Sequence, residues 1–329
     1  MYTQREKRNV EQICYEEAHV QKVLSEIRKN FEGYFRRFIE TEGGIGVTER
    51  ESHKKHTYFG VHSKKKCRIP ESSSEKYIRR IRESIEEFEK DRQPYIELFN
   101  EKVLEEYEED ASTFKSVVLK RRCPIIRKTY ENKRVKELDK YRFAFNVADA
   151  DYLLSVVTNL CKFESFYAEN IYSASSYDEK SKYQELQLSL LDTDDFTAFG
   201  VIGGGIKSMM LYKVNPMMFP YRSRNALWAL WFLTDKNPFG CKMDSEFLMI
   251  DTKNFTMQQN YYYPYELFAF YAFEIYKMLR DKADEMKAYI DPNYRYVIVE
   301  SFLNYVAGEH GAEIDFYLSQ NKDSNQCSA

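Results

Sequence analysis

Three consecutive glycines, Gly203, Gly204 and Gly205, are followed after Ile206 by Lys207 and Ser208, inside a stretch that is otherwise apolar and of helical period. Glycine adopts positive φ at little cost and lets a backbone approach a partner closely. A glycine turn ahead of a helix can therefore aim amide N–H groups at a phosphate. A lysine beside a helix N-terminus and other cations can have its pKa lowered towards neutrality and act as a nucleophile. Two chemistries are thus expected here: phosphate contact by Gly203, Gly204, Gly205 and Ser208, and amine chemistry at Lys207. The spacing is not that of a Walker A loop, because Ile206 separates Gly205 from Lys207. A plain connection between two helices is the competing reading.

The charges point the same way. The formal net charge is only −3, yet residues 120–142 hold ten Lys and Arg (Lys120, Arg121, Arg122, Arg127, Lys128, Lys133, Arg134, Lys136, Lys140, Arg142) against three acidic residues. Residues 50–68 hold seven against one, Glu51. Two basic blocks of this kind suit a nucleic-acid backbone, with Tyr58, Phe59 and Tyr130 available to stack on bases. The alternative is a solvated face paired with the glutamates of the stretch between the blocks.

Other chemical groupings are sparse. His53, His56, His62 and Cys67 do not have the intervals of a zinc motif, and the lysines around them repel a dication, so no metal and no cofactor is expected. The six cysteines, Cys14, Cys67, Cys123, Cys161, Cys241 and Cys327, are scattered without a CxxC pair, which argues against a disulfide scaffold. His310 has no nucleophilic partner that spacing identifies. Asp244, Glu246, Asp251 and Glu300 could hold Mg²⁺ as in a nuclease, but the E-x-K element of such sites is missing.

The elements that must position these residues are mostly helices. Ser72 and Glu75 stand in capping-box relation ahead of Ile78, Ile81, Ile85 and Phe88 at 3–4 spacing, and Pro94 interrupts the run before Phe99, Val103 and Tyr107 continue it. Dense charge on the remaining positions predicts a helical arm with a narrow seam, suited to bracing or to homodimer formation through residues 75–110. Residues 43–70 read as a mobile loop. Asp149 or Asp151 caps a helix carrying Leu153, Val156, Val157, Leu160 and Cys161 on one face, and another is expected around Leu186, Leu190 and Leu191. Asp194 or Asp195 caps a short helix before the glycine turn, and Ile206 begins a helix that Asn215 and Pro216 end. Ser223 caps the next, with Trp228 and Trp231 in its core face. Residues 246–250 and 294–299 are the strand candidates, with Pro264 opening a long aromatic helix between them.

The run from Gly203 to Ser208, with an apolar helix on each side, resembles the G-x-G-x-K-[ST] hairpin of the helix-hairpin-helix DNA glycosylase superfamily. The resemblance covers about residues 192–230 and includes an Asn-Pro helix end, a Phe-Pro turn and the new helix reading NALWAL. It implies that the glycine amides clamp one DNA phosphate, a contact that positions without reading sequence. It also implies that Lys207 is the lysine with which bifunctional members form a Schiff base. Where the family keeps an aspartate, this chain has Arg222, Ser223 and Arg224. Arg222 and Arg224 are then expected to join Lys207 as phosphate contacts, with Arg121, Arg122, Arg127 and Lys128 from the basic block.

The expected architecture is mainly α: a charged, partly basic helical arm over 1–142, a compact helical core over 143–321 with the hairpin at 196–214, a disordered tail over 322–329, and at most a few short strands. The expected partner is nucleic acid, DNA before RNA, in a cytoplasmic protein without a membrane span. Whether it is an enzyme of glycosylase or lyase type stays open. The rival functions are a non-enzymatic helical scaffold and a metal-dependent nuclease of a defence or restriction type.

Overall fold

The computed structural model describes residues 12–41, 71–136, 138–241, 247–251 and 257–323. The fold is mainly α, with thirteen α-helices and one two-stranded antiparallel ribbon among the described residues. Loop 43–70, the basic block at 50–68 with its histidines, Cys67, Tyr58 and Phe59, and the tail beyond Asp323 lie outside them. No described helix is long and apolar enough to cross a membrane.

At the centre is α11 (Tyr265–Glu285), opened by Pro264 as its N-cap. Its buried residues run almost without interruption from Tyr265 to Tyr276 and continue at Leu279 and Ala283. A helix that is apolar on every side has to be surrounded by other elements. The same holds for α10 (Arg224–Leu233), buried from Ala226 to Leu233, and for α12 (Arg295–Glu309), which packs against both. Residues 294–299 are therefore helical, not a strand: a short continuous apolar run has no period to separate the two, and burial by α10 and α11 on both sides of α12 decides it. The strands that do form are β1 (Met249–Asp251) and β2 (Met257–Gln259), paired with Ile250 opposite Gln258.

The first half of the chain closes over this core. Helix α1 (Glu17–Glu40) buries Val20, Val23, Leu24, Ile27, Phe31, Phe35 and Phe38 as one stripe against α10, α11 and α12. Helix α2 (Ser73–Glu89) starts at the expected capping box: Glu75 N–H donates to Ser72 Oγ at 3.2 Å and Ser72 N–H to Glu75 Oε2 at 2.7 Å. Its buried face is Tyr77, Arg80, Ile81, Ser84 and Phe88, whereas Ile78 is exposed, so the seam is rotated from the expected one. That face is filled from within the chain. The Tyr77 hydroxyl donates to Leu279 O at 2.9 Å, and Ser84 Oγ donates to Ser301 Oγ at 2.7 Å. Hydrophobic packing is thus continuous across residue 142, from α1 and α2 into α10–α12.

Short helices α3 (Gln93–Leu98), with Pro94 in its first turn, α4 (Glu101–Glu105) and the single turn α5 (Ala111–Thr113) follow. Residues Phe114–Arg122 then form a π-helix, ending with Cys123 N–H bonded five residues back to Val118 O at 2.9 Å. Helices α6 (Pro124–Glu131), α7 (Leu138–Val147) and α8 (Ala150–Asn170) complete this side. Asp149 caps α8 through Tyr152 N–H, and Leu153, Val156, Val157, Leu160 and Cys161 are buried as their spacing predicts. Around Leu186 to Phe196 the chain makes successive 3-10 turns instead of an α-helix. Helix α9 (Gly204–Val214) comes next, and α13 (Gly311–Asp323) ends the described chain.

Candidate functional site

The glycine segment is built differently from a clamp. Ala198 and Ile202 bridge each other, with Ala198 N–H on Ile202 O at 3.1 Å and the reverse bond at 2.7 Å, and the residue at positive φ is Gly200 at 76°. Gly203 is extended and Gly204 and Gly205 form the first turn of α9. None of the three needs the left-handed region. Gly204 is required for another reason: a Cβ there would lie 1.8 Å from Arg222 Nη1 and 3.0 Å from its Cζ.

Arg222 therefore occupies the face of the turn where an anion was expected. It is 4% exposed, its Nη2 donates to Asn260 O at 3.1 Å and Tyr261 O at 2.8 Å, and its backbone N–H donates to Ser208 Oγ at 3.1 Å. Ser208 in turn donates to Gly205 O at 3.1 Å and is fully buried. Lys207 also points inward. Its Nζ donates to Leu191 O and, at 3.0 Å, to Thr197 Oγ1, and the gap it shares with Leu191, Ser208, Leu211 and Tyr265 does not admit a water-sized sphere. Burial brings the Lys207 ammonium down to about 8, with Asp192 opposing that shift and Arg222 adding to it. Such an amine is reactive near neutrality, and here its Nζ is hydrogen-bonded to protein acceptors.

Two cations at the positive end of the α9 dipole need compensation, which Asp192 helps to supply. Asp192 itself caps α11 from outside that helix, accepting from Tyr265 N–H at 2.8 Å and Glu266 N–H at 3.2 Å. Burial together with the Asp192 charge pushes Glu266 up to about 7. The arrangement is a charge cluster, with Lys207 and Arg222 buried and Asp192 at its exposed rim, that ties α9, α11 and the 3-10 turns together. Sequence reasoning missed Asp192, whose partners lie more than 70 residues away; no local signal marks it.

The carboxylates considered for Mg²⁺ do not form strand ends as a set. Asp244 and Glu246 lie outside the described residues, only the backbone of Asp251 is described, and Glu300 belongs to α12. Glu300 accepts from Asn304 Nδ2 at 2.9 Å, while its Oε2 is buried without a partner, and burial raises its pKa to about 8. Trp228 and Trp231 are core residues, as expected.

The basic block at 120–142 presents the opposite picture. It runs from the end of the π-helix through α6 into α7, and Arg121, Arg122, Arg127, Lys128, Lys133, Arg134, Lys136 and Lys140 are all exposed. Part of it is paired: Arg122 with Glu97 at 3.2 Å, and Lys128 with Asp91 at 3.1 Å. Asp91 also holds the buried Lys213 at 2.6 Å. Lys120 lies 4.1 Å from the centre of the Tyr130 ring. Among the described residues, Arg121, Arg127, Lys133, Arg134, Lys136 and Lys140 have no carboxylate within ion-pair distance. Arg224 is exposed on the first turn of α10, away from this surface in sequence, with Nε 2.9 Å from the Gln259 amide oxygen once that amide is oriented to satisfy both Arg224 and Trp228.

The structure thus separates the expected phosphate contacts: Lys207, Ser208 and Arg222 are buried beside the half-buried Gly203, Gly204 and Gly205, whereas Arg121, Arg122, Arg127 and Lys128 are exposed. No family model, no curated protein and no solved structure matches this chain.

Proposed function

We propose that this protein binds nucleic-acid backbone, DNA in the first instance, through the basic surface formed by the end of the π-helix, α6 and the connection into α7. The observation that carries this reading is the set of six exposed cations, Arg121, Arg127, Lys133, Arg134, Lys136 and Lys140, without a carboxylate partner among the described residues. A cluster of like charges held on the π-helix, α6, α7 and the turn between α6 and α7 repels itself, and polyanion binding relieves that repulsion by releasing counterions from the phosphates. The π-helix supports the reading, because Lys120, Arg121 and Arg122 form its last turn and such turns recur at functional sites. Phe143, 65% exposed in α7, gives the same region an aromatic face for a base.

This is a binding function, without a covalent step at Lys207. Borohydride trapping on abasic-site DNA tests that part: no adduct is expected, and an adduct lost in Lys207→Ala would establish lyase chemistry instead. The binding itself is tested by fluorescence anisotropy with labelled duplex and single-stranded DNA. The triple variant Arg121→Glu, Arg134→Glu, Lys136→Glu should lose more than about tenfold in affinity while keeping its helical circular dichroism. A wild-type chain that binds neither DNA, or a triple variant that binds as tightly, would overturn the proposal and favour a helical scaffold.

A further inference from the structure

Two cysteines and a histidine from distant parts of the chain meet in the interior. Cys14 lies on the 3-10 turn Gln12–Tyr15, His19 near the start of α1, and Cys241 on the segment that follows α10. The two Sγ atoms are 3.7 Å apart, and one ligand atom from each of the three residues lies within 4.8 Å of the others. All three residues are buried. His19 is 3% exposed, and neither ring nitrogen has a hydrogen-bond partner. Its ring is held edge-on by Phe239 at 5.7 Å and Phe247 at 5.4 Å between centroids.

We propose that Cys14, His19 and Cys241 bind a zinc ion that fastens the Gln12–Tyr15 turn and α1 to the segment after α10. The spacing fits: in a tetrahedron with zinc–sulfur bonds of about 2.3 Å, two sulfurs are about 3.8 Å apart. Donor chemistry fits as well, since two thiolates and an imidazole make a soft set that suits zinc better than magnesium or calcium. Charge decides why zinc belongs in so apolar a place. Two thiolates exactly neutralise one dication, so the loaded site carries no net charge into the interior, and binding releases the two thiol protons to solvent. A buried imidazole with two orphan nitrogens is costly, and a metal bond at one nitrogen removes half of that cost. Three protein donors leave a fourth position for water or a further ligand.

The chain leading to Cys241 is shaped for the task. Asp235, Lys236 and Phe239 take positive φ at 51°, 61° and 52°, and Gly240 follows at 85°. Non-glycine residues adopt this region only where the surroundings impose it. Here the contorted segment brings Phe239 onto His19 and Cys241 onto Cys14.

The experiment uses the full, untagged chain purified under reducing conditions. Elemental analysis after growth with zinc chloride should give about one zinc per chain. Replacing zinc by cobalt chloride should give the near-ultraviolet absorption of thiolate-to-cobalt charge transfer. Alkylation followed by peptide mass mapping should show Cys14 and Cys241 protected by zinc and modified once it is chelated. Cys14→Ser and Cys241→Ser should each lose the metal and the charge-transfer band, and His19→Gln should weaken zinc binding at least about tenfold. The wild-type protection pattern keeps the proposal testable if those variants do not fold. A metal-free chain, metal retained in both serine variants, equal alkylation with and without zinc, or a Cys14–Cys241 disulfide would each overturn it.

Discussion

Gly203 and Gly204 are adjacent, yet the space around them differs completely. A methyl group on Gly203 meets nothing within 4 Å, whereas one on Gly204 collides with the Arg222 guanidinium. Displacing that guanidinium breaks its bonds to Asn260 O and Tyr261 O and leaves a buried charge without acceptors. Gly204→Ala is expected to cost about 2–3 kcal/mol in urea unfolding, and Gly203→Ala to change stability by less than about 0.5 kcal/mol. Equal effects at the two positions would contradict the packing of Arg222 into the turn. Glu300 offers a titration test. Burial keeps its carboxyl protonated up to about 8, while an unfolded glutamate titrates near ~4.3. Between those values the native state holds a proton that the unfolded state has lost, so stability falls as pH rises through the window. Glu300→Gln keeps the neutral shape and should gain on wild type by about 4 kcal/mol between roughly pH 5 and 9. Parallel stability curves for the two proteins would show that Glu300 does not titrate in this way.

At the scale of elements, the docking of α2 on α1 and α12 sets which of two isoleucines matters. Ile81 is 7% exposed within the buried face, and Ile78 is 39% exposed beside it. Ile81→Asp places a carboxylate among apolar side chains and should destabilise by about 3 kcal/mol or more, whereas Ile78→Asp should stay within about 0.5 kcal/mol. Because the face is filled from within the chain, the loss should not depend on protein concentration. A concentration-dependent midpoint would point to a partner chain in place of α12. The π-helix and α6 form a second unit, in which Pro124 opens α6 directly after Cys123 and so turns the chain where Lys120 to Arg122 end. That turn, with the connection from α6 into α7, spreads one sequence block over several segments, and all its cations except Lys120 and Arg142 are exposed.

For the whole molecule, the distribution of charge outweighs its total. The chain is formally at −3, but the block at 120–142 carries ten positive against three negative groups. Affinity for DNA should therefore fall steeply with salt in spite of the acidic net charge. If about six phosphates are neutralised, the loss between roughly 50 and 200 mM salt is about 10³-fold. The logarithmic slope should shrink by about three in the Arg121, Arg134, Lys136 triple variant. A flat salt response would remove phosphate contact as the basis of any binding. The cluster around Lys207, Arg222 and Asp192 is expected to play no part in this slope, since its two cations donate to protein acceptors and Asp192 accepts from backbone N–H groups.

Several signals that lie within about one helical turn could be read along the chain, although the α-helix expected around Leu186 to Leu191, with an Asp194 or Asp195 cap after it, gave way to 3-10 turns without a side-chain cap. Ser72 with Glu75, Asp149 ahead of Tyr152, and Ser223 ahead of Ala226 are caps whose donor and acceptor are three residues apart, and each forms as its residues predict. The buried face from Leu153 to Cys161 and the core placement of Trp228 and Trp231 follow from the helical period alone. The mainly α class follows from the same local signals. Where contacts join distant segments, the residues by themselves were mute or pointed elsewhere. Gly204 reads as a phosphate turn until Arg222 is seen packed against it, and residues 294–299 read as a strand until α10 and α11 enclose them. Cys14 and Cys241 are 227 positions apart, so their spacing in sequence carries no sign of their 3.7 Å contact. Local hydrogen bonding and periodicity are encoded by neighbours in the chain, but which surfaces meet, and hence which charges are buried and which stay exposed, is decided by the packing of the whole core.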